Sequence, residues 1–192
     1  MVNLVVILHF HIPKIVNFAA TPTYNKMQIL KLFIISIFIL FNDHNAKKVF
    51  PDINLSTLEG KNVSTADYIG KGNPVLVSMW ATWCAPCKRE LDNIAELYPE
   101  WKEKYGLEIL AVTIDNSRQL RKVPGVVSSK GWEYIILADE NGNLQQTMGV
   151  ATIPQTYLVA GDGEIIYDHN GYSPGDEDEI GDLLEKMKSS DR

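Results

Sequence analysis

Trp83-Cys84-Ala85-Pro86-Cys87 holds both cysteines of this 192-residue chain, three positions apart and directly after an apolar run. That run, Pro74-Val75-Leu76-Val77-Ser78-Met79-Trp80, follows Lys71-Gly72-Asn73 and reads as a buried strand. Beyond it, Cys87, Leu91, Ile94, Tyr98, Trp101 and Tyr105 recur at spacings of four and three with charges between them, the stripe of an amphipathic helix. Cys87 therefore belongs to a buried helix face. Cys84 sits one turn earlier, at the helix start, where unpaired backbone N–H groups and the positive end of the dipole favour a thiolate. Pro86 suits a first turn, which has no use for its missing N–H. The expected chemistry is reversible disulfide exchange, with Cys84 as nucleophile and Cys87 as the shielded resolving thiol. Pro99, deeper in the stripe, predicts a kink or a division near Tyr98.

Zinc is the competing reading of a Cys-x-x-Cys pair, but it needs four ligands. The remaining candidates are His9, His11, His44 and His169, three of them within the first 46 residues. No metal and no cofactor is expected. Glu90 lies three residues beyond Cys87 and borders the apolar face. There it is either a proton shuttle whose pKa burial raises or an ordinary solvated glutamate. A second signal is Ala151-Thr152-Ile153-Pro154-Gln155-Thr156-Tyr157-Leu158-Val159, a proline entering a β-branched apolar run.

Taken together, Trp80-Ala81-Thr82-Trp83-Cys84-Ala85-Pro86-Cys87-Lys88 and Thr152-Ile153-Pro154 resemble the two halves of a thioredoxin-fold active site. The nearest resemblance within that superfamily is to the TlpA/ResA-like extracytoplasmic thiol-disulfide oxidoreductases, and it covers roughly residues 49–188. It implies an α/β fold with a central mixed sheet flanked by helices and an extra strand and helix between Leu120 and Val150. It also implies a cis bond before Pro154, a substrate-binding surface of Trp83, Pro86, Ile153 and Pro154, and a proton-transfer role for Glu90, which falls where these proteins keep an acidic residue. Ser78 stands where cytoplasmic thioredoxins carry a buried aspartate, and Gln155 where threonine is more usual. Peroxiredoxins share the fold, but their Pro-x-x-x-Thr/Ser-x-x-Cys pattern meets Val77 and Ala81 here, which argues against peroxide chemistry. For Trp80 the plain reading, a core aromatic, is preferred.

Other elements follow from pattern. Leu107–Asp115 and Trp132–Ala138 read as strands, and Asp139-Glu140-Asn141-Gly142-Asn143 as a turn before a short helix ending near Met148. Arg118–Val127 is only moderately helical because Pro124-Gly125 interrupts it. Gln155–Val159 and Glu164–Asp168 form a hairpin, and Glu177–Lys188 a last helix whose acidic start, Asp176-Glu177-Asp178-Glu179, faces solvent and suits the dipole.

Residues 47–192 form one thioredoxin-like domain, with a core large enough to stand alone. Of 18 basic and 24 acidic residues only Lys14, Lys26, Lys31 and Asp43 precede it, which leaves the domain at about −8 and argues against nucleic acid. Residues 1–46 are expected to be a leader. Met27-Gln28-Ile29-Leu30-Lys31 followed by Leu32–Phe41 has the basic start and short apolar core of an export signal, with Met27 as the expected translation start. The core is short for a span, which needs roughly 20 residues. No Ala-x-Ala cleavage site is evident, so removal and retention as an N-terminal membrane anchor both stand open. The expected setting is the periplasm or cell envelope, and the expected partners are disulfide-containing protein substrates and a membrane thiol electron donor, met by a monomer. An oxidase or isomerase using the same cysteines, and a binding module without turnover, are the alternatives.

Overall fold

The computed structural model describes residues 47–190, together with Asn25, and the fold lies within the unit Ala46–Arg192. The expectations for the leader fall outside the described residues. Among those described, no helix is long and apolar enough to cross a membrane.

Seven strands make one mixed sheet: β1 (Asn54–Thr57), β2 (Asn62–Ser64), β3 (Val75–Trp80), β4 (Glu108–Thr113), β5 (Ile135–Ala138), β6 (Gln155–Val159) and β7 (Ile165–Asn170), in the order β2-β1-β5-β4-β3-β6-β7. β3, β4 and β5 run parallel, while β6 joins β3, and β1 joins β5, antiparallel. β3 is central and buried along its whole length, hence its unbroken apolar sequence. Its alternate side chains feed two cores. Leu76 and Trp80 face one core with Leu91, Ile94, Tyr98 and Trp101, while Val75, Val77 and Met79 face another with Phe50, Leu110 and Tyr157.

Helix α1 (Ala85–Tyr105) covers the first face, with Cys87, Glu90, Leu91, Ile94, Tyr98 and Trp101 buried, and Gly106 ends it in the left-handed conformation at φ 69°. The predicted stripe is thus the packed face. Pro99 does not divide the helix, which runs on for 21 residues. Pro99 is exposed, so the hydrogen bond it cannot make to Ala95 is lost on the solvent side of the helix. Pro124-Gly125 does not interrupt a helix either. The break falls before it, between α2 (Ser117–Leu120) and α3 (Val123–Lys130), and Pro124 occupies the first turn of α3.

The extra strand and helix between β4 and Pro154 are β5 and α4 (Asn143–Met148), with buried Asp139 accepting the Leu144 and Gln145 N–H groups at 3.2 and 2.9 Å. β5 is shorter than the apolar pattern. Trp132 and Tyr134 leave the sheet to pack on α1, where the Tyr134 hydroxyl donates to Leu91 O at 2.6 Å and the Trp132 indole to Asp92 at 3.1 Å. β7 runs two residues beyond the expected end and so carries His169 and Asn170 beside the loop at Pro154. α5 (Asp176–Ser190) closes the chain against α1 through Ile180 and Leu184.

Gly161, in the β6–β7 turn, lies against the loop before β3: Gly72 N–H donates to Gly161 O at 2.9 Å, and a Cβ on Gly161 would stand 2.4 Å from Gly72 O. Gly161→Ala is expected to lower the unfolding free energy in urea by about 1–3 kcal/mol, since backbone must move. Gly125→Ala in α3 meets no atom within 4 Å and should raise it by about 0.5–1 kcal/mol.

Candidate active site

Two loops meet at the end of β3. Ala81–Cys84 leaves β3 and enters α1, while Thr152–Pro154 enters β6, which the antiparallel register sets beside β3 with Met79 opposite Gln155. Cys84 is the N-cap of α1, its Sγ accepting the Cys87 N–H at 3.2 Å, and Pro86 lies in the first turn. Cys84 and Cys87 are joined as a disulfide with Cα atoms 5.4 Å apart. Cys87 is fully buried and Cys84 is 5 % exposed.

Across the disulfide the Ile153–Pro154 bond is cis, and Ile153 O lies 3.9 Å from Cys84 Sγ. Among the described residues, neither the N–H nor the C=O of Ile153 has a hydrogen-bond partner, since the disulfide sulfur of Cys84 has no proton to donate. Trp83 is 58 % exposed at the rim, with Pro86 and Ile153 half-buried and Pro154 buried. Cys84, Cys87, Trp83, Pro86, Ile153 and Pro154 are therefore gathered in one place. Trp80 is a core residue, edge-on to Trp132 at 5.2 Å.

Glu90 lies beneath, 2 % exposed, on the same buried face as Cys87. Ser78 and Thr156, directly opposite one another on β3 and β6, both offer hydroxyls to it, Ser78 Oγ at 3.0 Å and Thr156 Oγ1 at 2.6 Å. Burial pushes the Glu90 carboxyl up to about 7; the two hydroxyl bonds oppose the rise, and the Asp176 and Glu177 carboxylates add to it. A hydroxyl can turn to donate to an oxygen anion or to accept from a carboxylic acid, so the pair serves both protonation states. Ser78 thus carries no carboxyl of its own but holds one that comes from α1.

Three contributors had no part in the sequence reading. Buried Asp115, just past β4, accepts the Thr82 N–H at 2.8 Å, the Thr82 hydroxyl at 2.9 Å and the Thr113 hydroxyl at 2.8 Å. Together with Lys88, whose ammonium donates to Thr82 O at 2.8 Å, it pins the loop that delivers Cys84. The signal for it was an acidic residue ending an apolar strand run. Thr156 could have been found as the second residue after Pro154, facing the same way as Leu158. Asn170, at the end of β7, left no signal.

The fold retains the Glu90 proton that an unfolded chain releases near the usual 4.5, so this contribution to stability is complete below about pH 4.5 and is lost as pH rises through about 7. The shift corresponds to about 3 kcal/mol. The difference in unfolding free energy between the native chain and Glu90→Gln, measured without reductant, is expected to change by about that amount against the native chain from pH 4 to pH 8. A difference independent of pH would mean that Glu90 titrates as a solvated carboxyl.

The AhpC/TSA family model matches residues 46–168. The thiol-disulfide oxidoreductase ResA of Bacillus thuringiensis subsp. konkukian is 35% identical over 124 residues, 65% of this chain and 69% of that protein. The ResA of Geobacillus thermodenitrificans is 36% identical over 115 residues, 60% of this chain and 63% of its own length. A thioredoxin-like protein of Porphyromonas gingivalis superposes with TM-score 0.64 at 38% identity, covering 72% of this chain and 90% of that one. A putative thiol:disulfide interchange protein DsbE of Chlorobium tepidum, at 23% identity and TM-score 0.65 over 73% of this chain and 96% of its own, shares the fold. With a paired dithiol at the start of α1 and relatives of this kind, the chain belongs to the AhpC/TSA family and is a thiol-disulfide oxidoreductase with a thioredoxin-like fold.

Proposed function

We propose that this protein reduces disulfides of exported proteins in the bacterial envelope and is itself recharged by a dithiol donor at the membrane. The observation that carries the reading is the Cys84–Cys87 pair at a helix N-cap, facing a loop whose Ile153 backbone is free. In the dithiol form the Cys84 thiolate attacks one sulfur of a substrate disulfide, forming a mixed disulfide and expelling one substrate thiolate. Cys87 passes its proton to the Glu90 carboxylate one turn along α1 and attacks Cys84 Sγ. That step releases the second substrate thiolate and closes the Cys84–Cys87 disulfide, so two electrons have moved to the substrate. The membrane donor returns them. Trp83, Pro86, Ile153 and Pro154 receive the polypeptide around the substrate disulfide.

A peroxidase reading, which the family name invites, has no support at this site. Val77 and Ala81, at the positions where that chemistry needs proline and a hydroxyl, are both buried in apolar core. The envelope setting draws on the export-like residues 27–41 and on the scarcity of thiol reductants outside the cytoplasm. Apocytochrome c is the substrate class that the ResA resemblance suggests.

The test is insulin reduction with dithiothreitol, followed by trapping. The native chain is expected to accelerate turbidity, and Cys84→Ser to return it to the rate of dithiothreitol alone. Glu90→Gln should slow turnover on the order of 100-fold at pH 7, as loss of a general acid–base does. Cys87→Ser expressed in the native host should accumulate mixed disulfides through Cys84; apocytochrome c among them indicates cytochrome maturation, and a broad set general envelope reduction. No trapped protein would count against Cys84 as nucleophile, and a redox titration showing a strongly oxidising pair would reverse the direction.

A further inference from the structure

Gln155, where threonine is more usual, is 6 % exposed and uses its whole amide. Its Nε2 donates to Asp168 Oδ1 at 2.8 Å and to His169 O at 2.9 Å, and its Oε1 accepts from Asn170 Nδ2 at 3.0 Å. Asn170 faces Gln155 on the last rung of the β6–β7 pairing. Its Nδ2 donates to Thr152 O at 2.8 Å and stands 3.4 Å from Pro154 O, while its Oδ1 accepts the Thr152 hydroxyl at 2.8 Å. Only this orientation of the amide works, because Nδ2 is surrounded by oxygens that accept and Oδ1 meets a hydroxyl. Gly171 N–H also reaches Pro154 O, at 2.9 Å.

The consequence concerns three successive carbonyls. Those of Thr152 and Pro154 are filled from the β7 side, whereas that of Ile153, with its N–H, stays open next to Cys84 Sγ. Thr152 itself is exposed, so its carbonyl would otherwise compete for a pairing partner. A one-residue slip of a paired strand moves it by about 3.4 Å and turns its side chains over, enough to carry a substrate sulfur out of reach of Cys84. A loop fixed before binding also loses less conformational freedom when the substrate arrives.

We propose that Asn170, held by Gln155, is a positioning residue for the substrate: by occupying the carbonyl of Thr152, next to the Gly171 N–H on that of Pro154, it leaves Ile153 as the pairing rung and so sets the register that brings an extended polypeptide's disulfide to Cys84. The inference rests on protein disulfides being the substrates. A small disulfide has no backbone to register, so the clamp serves polypeptides selectively.

Steady-state kinetics on the full-length chain test this, with insulin as the polypeptide disulfide and 5,5′-dithiobis(2-nitrobenzoate) as the small one. Asn170→Asp keeps the shape but sets a carboxylate against the Thr152 and Pro154 carbonyls, and Gln155→Thr removes the amide bridge. In Asn170→Asp the insulin KM should rise about tenfold with kcat much less affected, and the ratio of insulin to small-disulfide efficiency should fall in step; Gln155→Thr should do the same by about threefold. If Asn170→Asp fails to fold, the same ratio in Gln155→Thr decides. An insulin KM within twofold of native, or an equal loss on both disulfides, overturns the proposal. A native chain that does not accelerate insulin reduction at all would instead overturn the proposed substrate class.

Discussion

The antiparallel pairing of β3 with β6 is the constraint on which the site depends. Its register, Ser78 opposite Thr156 and Met79 opposite Gln155, accomplishes two things at once. It brings the end of β3, and with it Cys84, to the same edge as the start of β6, where Ile153 and Pro154 stand. It also turns Ser78 and Thr156 together toward α1, under Glu90. A slip of β3 by one residue would put Val77 or Met79 beneath the carboxyl and leave one oxygen of a buried acid without its partner, a cost of about 1–3 kcal/mol. The polar requirement of Glu90 and the geometric requirement of the cysteines are thus met by one choice of pairing.

Two buried carboxyls serve the site in different ways, and their partners explain the difference. Asp115 accepts a backbone N–H as well as two hydroxyls, and a backbone donor cannot turn to become an acceptor. It is a fixed anchor for the Thr82 loop. Glu90 meets hydroxyls alone, which can reverse, and its surroundings are apolar enough to hold its proton up to about pH 7. An acid that can be held with or without its proton suits a step in which a thiol must give one up.

What the sequence made legible was local. The cysteine spacing, the apolar run before it and the stripe after it identify a strand, a helix start and a buried face, and Glu90 falls on that face by counting turns. The strands β1 and β2 were not legible, because Asn54-Leu55-Ser56-Thr57 and Asn62-Val63-Ser64 bury just one side chain, Leu55, and carry no apolar alternation. Thr156, Asp115 and Asn170 act through partners 66, 33 and 18 residues away, which periodicity cannot reach. The prolines misled for a related reason. By residue type Pro99 and Pro124 read as breakers, while their effect is decided by whether the lost N–H lies toward solvent or in a first turn.

The acidic start of α5 shows how a feature that is ordinary by pattern acquires consequence through packing. By sequence, Asp176-Glu177-Asp178-Glu179 is a solvated cluster suited to a helix N-terminus, and Asp178 and Glu179 remain exposed. Asp176 and Glu177 turn inward. Asp176 pairs with His169 at 3.2 Å and accepts the Ser173 N–H at 2.7 Å, and Glu177 accepts from Asn93, one turn beyond Glu90 on α1, at 3.2 Å. Their charge adds, after burial, to the rise in the Glu90 carboxyl. The same two carboxylates that steady the last helix therefore help to keep the Glu90 proton in place. Burial of Glu90 sets the proton affinity of the site first, and the packing of α5 on α1 adds to it through these two carboxylates.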